Sequence, residues 1–102
     1  MKRIYRTSFD SAHFIEGHNK CGEIHGHTYH IEVILDIPDK FFDFHKIRES
    51  VDFVLSHYDH HNLGNKTCED LVLDIYDDLA QHFKGTIKIR LFETEHFGVE
   101  YP

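Results

Sequence analysis

"TYHIEVILDIP", residues 28–38, alternates with a period of two: Tyr29, Ile31, Val33, Leu35 and Ile37 all fall on one parity. Successive side chains of an extended chain point to opposite faces, so these residues share one side of a strand. His30, Glu32 and Asp36 make the other side polar, with Ile34 the exception. One face is therefore expected to be buried and the other partly wet. Pro38 cannot donate to a ladder and ends the strand.

The flanking segments extend this pattern. "KRIYRTSFDSAHF" (2–14) puts Tyr5, Thr7, Phe9 and Ser11 on one parity and reads as a second strand. In "FDFHKIRESVDFVLSHY" (42–58) the period changes. Phe44, Ile47, Val51, Val54, Leu55 and Tyr58 recur at helical spacing. "NLGN" (62–65) supplies turn residues. Thr67 opens a second helix with Asp70 as capping-box partner; Leu71, Ile75, Leu79 and Phe83 form its apolar stripe, and Gly85 ends it. "TIKIRLFE" (86–93) alternates again, and "FGVEY" (97–101) is a short last strand. The order β-β-α-α-β-β predicts an α+β fold with an antiparallel sheet backed by two helices. With no repeat or linker, residues 1–102 are expected to form a single domain.

Composition narrows the function classes. A formal charge of −7 argues against a non-specific nucleic-acid binder, which needs a basic face to neutralise phosphates. It leaves room for an anionic small molecule, because a bound cation outweighs net charge locally. No apolar run approaches the roughly 18 residues of a membrane span. "MKRIYRTSFD" lacks an apolar signal core, so the expected location is the cytoplasm. Cys21 and Cys68 stand in dissimilar contexts and do not suggest a disulfide framework. Eleven histidines in 102 residues hint at a metal or at acid–base chemistry.

The histidines concentrate in "SAHFIEGHNKCGEIHGHTYHIEV" (11–33). His25 and His27 are two apart, so in an extended chain both imidazoles reach one ion, and Gly26 lets a ligand approach the backbone. His13 ends the first strand, which an antiparallel partner brings beside the start of the second. Three imidazoles with an open fourth position are the arrangement of catalytic zinc, although such a donor set accepts other transition metals. A lone H-x-H pair would read as loop decoration; the third histidine and nearby Cys21 reverse that. A closed structural site of Cys21 with the three histidines is also compatible with the spacing.

"HYDHHNLG" (57–64) carries a second polar cluster. Asp59 precedes His60, and a carboxylate that orients an imidazole follows the logic of an activated base or nucleophile, here Cys21. A histidine nearby would raise the thiolate fraction of Cys21. A solvated helix C-terminus, where histidine is favoured, accounts for the same run. Cys68, in the first turn of a helix, reads as a small buried residue.

Phe9, Ala12 and His13, "KC" at 20–21, "HGH" at 25–27, "DF" at 43–44, "DHHNL" at 59–63, Thr67 with Glu69, and "ET" at 93–94 stand in a recognisable order. From about residue 4 to 101 the chain resembles the 6-pyruvoyltetrahydropterin synthase family, which includes the 6-carboxytetrahydropterin synthases of the queuosine pathway. The resemblance implies the T-fold, a four-stranded antiparallel sheet with two helices. By the same resemblance, three subunits are expected to close a barrel, two trimers usually stack into a homohexamer, and active sites lie between subunits. It further implies that His13, His25 and His27 hold Zn²⁺ and that Cys21 is the catalytic base or acid, with Asp59 and His60 as its relay. Glu93 would anchor the pterin ring, aided by the segment around Thr67.

The leading reading by resemblance is a zinc lyase that converts 7,8-dihydroneopterin triphosphate to 6-carboxy-5,6,7,8-tetrahydropterin, releasing acetaldehyde and triphosphate. Its rivals are triphosphate elimination to a pyruvoyl pterin and aldolase-like cleavage of dihydroneopterin. A non-catalytic protein with a structural Cys-His₃ zinc site is the alternative outside enzymes. Several features depart from the family pattern. "DIPDKFFDF" (36–44) and "LGNKT" (63–67) are short, Gly64 stands where Asn is frequent, and Cys68 replaces a hydroxyl residue of some members. Lys20, Lys66 and the unplaced histidines are the only nearby candidates to meet a triphosphate, and a neopterin with fewer phosphates suits the acidic chain better.

Overall fold

Strands β1 (Arg3–Phe14) and β2 (His25–Asp36) form the antiparallel centre of the fold. The structure is a computed structural model and describes residues 1–38 and 41–102. Their register runs from Arg3↔Leu35 to His13↔His25, so the apolar parity of both strands lies on one face. Phe9, Tyr29, Ile31, Val33 and Leu35 are buried there, as the alternation predicts. β4 (Thr86–Phe92) pairs with the far edge of β2, and β5 (Gly98–Tyr101) pairs with β4, both antiparallel.

The segment read as a turn between the helices is a strand. β3 (His61–Asn65) pairs in parallel with the end of β1, Ser11↔His61 and Ala12↔Asn62, and its register shifts before Phe14↔Asn65. The sheet is thus five-stranded and mixed, in the order β3-β1-β2-β4-β5, rather than four-stranded and antiparallel. "HNLGN" has no apolar alternation; it extends because the free edge of β1 offers hydrogen bonds, a tertiary effect that overrides local turn chemistry.

Helices α1 (Phe44–Leu55) and α2 (Cys68–Ala80) bury Ile47, Val51, Val54 and Leu55, and Leu71, Ile75 and Leu79, in one cluster with the inward face of the sheet. Each such aliphatic side chain contributes about 1.5–3 kcal/mol by leaving water. Phe44, expected on the α1 stripe, is instead exposed at the helix start, beside Ile4 and Tyr5. The capping box of α2 is complete: Asp70 N–H donates to Thr67 Oγ1 (3.1 Å), and Thr67 N–H to Asp70 Oδ2 (3.2 Å). Tyr58 and Phe83 lie beyond the helix ends but pack against the core. α2 stops before Gly85, whose role is to turn the chain into β4. At φ +97° a Cβ there would collide with the Asp36 carbonyl. The short connection read over 36–44 includes Asp39 and Lys40, which lie outside the described residues. No described helix is long and apolar enough to cross a membrane.

Candidate functional site

The β1–β2 register assembles the histidines. His13 pairs with His25 and Ser11 with His27, so the inward parity of both strands ends in three imidazoles. Ring centroids are 4.6 Å apart for His13–His25, 4.8 Å for His25–His27 and 5.0 Å for His13–His27. One ligand nitrogen from each lies within 4.8 Å of the others. His13 Nδ1 is 2.6 Å from the Lys66 carbonyl, and His25 Nδ1 is 2.7 Å from the Glu23 carbonyl. A carbonyl only accepts, so both Nδ1 atoms carry a proton, and Nε2 is the ring nitrogen each histidine turns toward a ligand.

The Nε2 atoms of His13 and His27 are buried and have no hydrogen-bond partner among the described residues. Orphaned polar atoms of this kind are costly unless something binds them. Burial lowers the pKa of His27, against an opposing pull from Glu93, which favours the neutral imidazole that metals require. Three convergent imidazole nitrogens are a donor set that fits a divalent transition metal.

Glu93, just past β4, brings Oε1 to 3.2 Å from His13 Nε2 and 3.6 Å from His27 Nε2. Beneath the histidines Tyr29 stacks on Phe9 (centroids 5.2 Å) and meets His13 and His27 edge-on; its hydroxyl is buried without a hydrogen-bond partner among the described residues. Burial, reinforced by Glu93, raises the pKa of that phenol. Cys68 Sγ donates to the Leu91 carbonyl (3.7 Å), and burial with help from Glu93 pushes its thiol up to about 12. Cys68 is therefore a packed thiol, as its place in the first turn of α2 suggested.

Asp59 and His60 follow the end of α1. His60 sits at φ +57°, a left-handed conformation that is uncommon outside glycine. His60 Nδ1 is 2.9 Å from Asp59 Oδ2, and Asp59 Oδ1 accepts from the Asp10 N–H at 2.9 Å. The Asp10 N–H, followed by the His60 side chain, holds Asp59 below the usual carboxylate range. Hydrogen bonding to Asp59 raises the pKa of His60. An open cleft of about 520 Å³ has His27, Gly26, Thr28, Asp10 and His60 among its lining residues. It joins one member of the histidine triad to the Asp59–His60 pair.

Cys21 lies in the loop between β1 and β2, half-buried and free. Its main chain is fixed by the Ile15 N–H, which donates to the Cys21 carbonyl (2.6 Å), and by His18 Nδ1, which accepts from Cys21 N–H (3.1 Å). The Cys21 sulfur is not among the ligand atoms that converge with those of His13, His25 and His27. Within one chain no hydrogen bond links Cys21 to Asp59 or His60 among the described residues. The Thr67 hydroxyl is committed to capping α2. Sequence reasoning missed the carbonyls of Glu23 and Lys66, which any residue type could provide. It also missed Asp10 and Thr28, whose place on the polar parity of two strands was the available signal.

The 6-pyruvoyl tetrahydropterin synthase family model matches residues 3–102. The chain belongs to this family. It is 36% identical to the dihydroneopterin monophosphate aldolase of Pyrococcus furiosus, over 95% of this chain and 93% of that protein. It is 29% identical to the 6-carboxy-5,6,7,8-tetrahydropterin synthase of Rickettsia bellii, over 97% and 88%. The 6-pyruvoyl tetrahydropterin synthase structure from Caenorhabditis elegans superposes with a TM-score of 0.83 at 22% identity, covering 99% of this chain and 94% of that one. The fold is accordingly the T-fold of this family, and in this chain its sheet is mixed and five-stranded.

Proposed function

We propose that this protein is a zinc-dependent lyase acting on the side chain of a dihydroneopterin phosphate. The observation that carries this reading is the shared cleft, where the convergent His13, His25 and His27 site adjoins a carboxylate-held His60. Zinc bound there would supply Lewis acidity toward the side-chain oxygens. His60, oriented by Asp59, and Cys21 are the groups that take and return protons. Glu93 pairs with the amino and ring N–H groups of the pterin, a charge-assisted and directional contact, and the Thr67 segment borders it. A homohexamer built as a dimer of trimers supplies what one chain lacks, a neighbour that brings Cys21 to an Asp59–His60 pair.

Retro-aldol cleavage of a monophosphate is the favoured chemistry. The C2′ hydroxyl loses its proton, the C1′–C2′ bond breaks, and its electrons pass to C1′ and the ring imine. Reprotonation at C1′ leaves 6-hydroxymethyl-7,8-dihydropterin and glycolaldehyde phosphate. The nearly full-length similarity to the Pyrococcus furiosus aldolase supports this reading, as does the charge. No lysine or arginine among the described residues lines the cleft, and Lys66 is engaged by Asp74. The second reading, 6-carboxytetrahydropterin synthesis from the triphosphate, is favoured by the Rickettsia bellii relative.

Mass spectrometry of zinc-loaded protein incubated with the mono- and triphosphates separates the two. Hydroxymethylpterin with glycolaldehyde phosphate is the expected outcome. A 6-carboxytetrahydropterin with acetaldehyde moves the assignment to the second reading. No product from either substrate, with the metal fully bound, overturns both.

A further inference from the structure

Asp10 touches both members of the Asp59–His60 pair through its main chain. Its N–H donates to Asp59 Oδ1 at 2.9 Å, and its carbonyl accepts the His60 N–H at 2.6 Å. The second contact fixes the residue that sits at φ +57°. The Asp10 side chain is also held, since the Thr28 hydroxyl donates to Oδ1 at 2.5 Å. Asp10 and Thr28 are direct partners across the β1–β2 ladder, so this clasp is built into the register. Oxygens of Asp10 and Asp59 and a nitrogen of His60 all lie within 4.8 Å of one another.

We infer that Asp10 is a positioning residue for the Asp59–His60 pair: its main chain fixes their orientation, and its carboxylate, tethered by Thr28, gives His60 a second anionic neighbour. The inference rests on the reading of that pair as catalytic. The groups that bear on His60 are Asp59 beside it in sequence, Asp10 from β1 and the neutral Thr28 from β2, with His61 of β3 on the same cleft. Two carboxylates and no cation among them favour the imidazolium. The tether also links the pair to the candidate metal strand, because Thr28 follows His27 directly. A shift of the β1–β2 register would therefore disturb both halves of the site together.

Asp10→Asn isolates the carboxylate, because both main-chain contacts survive and the amide oxygen still accepts from Thr28. The test is a histidine NMR titration of the full chain with zinc bound, the His60 signal being assigned by its absence in His60→Asn. In Asp10→Asn the His60 midpoint moves to lower pH. The limb of the kcat–pH profile that His60 controls moves the same way, and kcat falls by about tenfold, the lower end of an outer-shell loss. KM stays within about twofold, since Asp10 touches the proton-transfer pair and not the pterin anchor. Asp10→Ser, which also removes the charge, gives the same direction and serves if the asparagine variant folds poorly. An unmoved His60 midpoint in a folded variant overturns the inference alone, provided His60→Asn is inactive. Wild-type turnover by His60→Asn overturns the catalytic reading of the pair and this inference with it.

Discussion

Replacing Tyr29 with phenylalanine is expected to stabilise the metal-free protein. Tyr29 is fully buried, its ring stacks on Phe9, and its hydroxyl has no hydrogen-bond partner among the described residues. An unsatisfied buried hydroxyl costs about 1–3 kcal/mol, whereas removing one oxygen leaves a void too small to matter much. The ring contacts survive the change, so the net gain is about 1 kcal/mol. For a domain of this size that corresponds to a rise in Tm of about 4–8 °C. Urea denaturation of both proteins at one protein concentration measures it, as a higher midpoint at unchanged slope. Tyr29→Ala provides the contrast, since loss of the whole ring costs about 3–5 kcal/mol. A loss of 1 kcal/mol or more in Tyr29→Phe, with the slope unchanged, would refute the reasoning. The hydroxyl would then have a partner that outweighs its burial.

Three further outcomes follow from the same geometry. Thr67→Ala removes the N-cap of α2 and should cost about 1 kcal/mol in urea, with equal loss whether or not metal is bound. The Asp59–His60 contact has a pH signature. Asp59 is depressed from 3.8, so its share is complete above that value and lost as pH falls through the folded pKa; His60 is raised from 6.5, so its share is complete below 6.5 and lost as pH rises. The stability difference between wild type and His60→Asn should thus peak between pH 3.8 and 6.5, and a flat difference from pH 3 to 9 speaks against the pair. His25→Ala should weaken zinc binding in chelator competition by more than about 100-fold, beyond the loss of an outer-shell partner.

Much of this arrangement was legible in single residues. The alternation of Tyr29, Ile31, Val33 and Leu35 specified the buried face of β2. The same parity in Phe9 and Ser11 carried His13 to the position opposite His25. Thr67 and Asp70 announced the start of α2 through a local hydrogen-bond exchange. What escaped notice depended on partners distant in sequence. β3 exists because the edge of β1 is free, and "HNLGN" alone says turn. Phe44 has helical spacing but lies past the cover of the sheet. The acceptors that orient His13 and His25 are main-chain carbonyls, invisible to residue type. Asp10 matters largely through its own N–H and carbonyl, so its letter revealed only half its role.

The central claim is that the three imidazoles, without Cys21, bind a zinc ion and leave a position open for substrate. X-ray absorption at the zinc edge of the loaded protein tests it most directly. The expected result is about one zinc per chain, with nitrogen or oxygen neighbours at about 2.0–2.1 Å and no sulfur. A sulfur neighbour at about 2.3 Å that disappears in Cys21→Ala would contradict it and make the site a closed structural one.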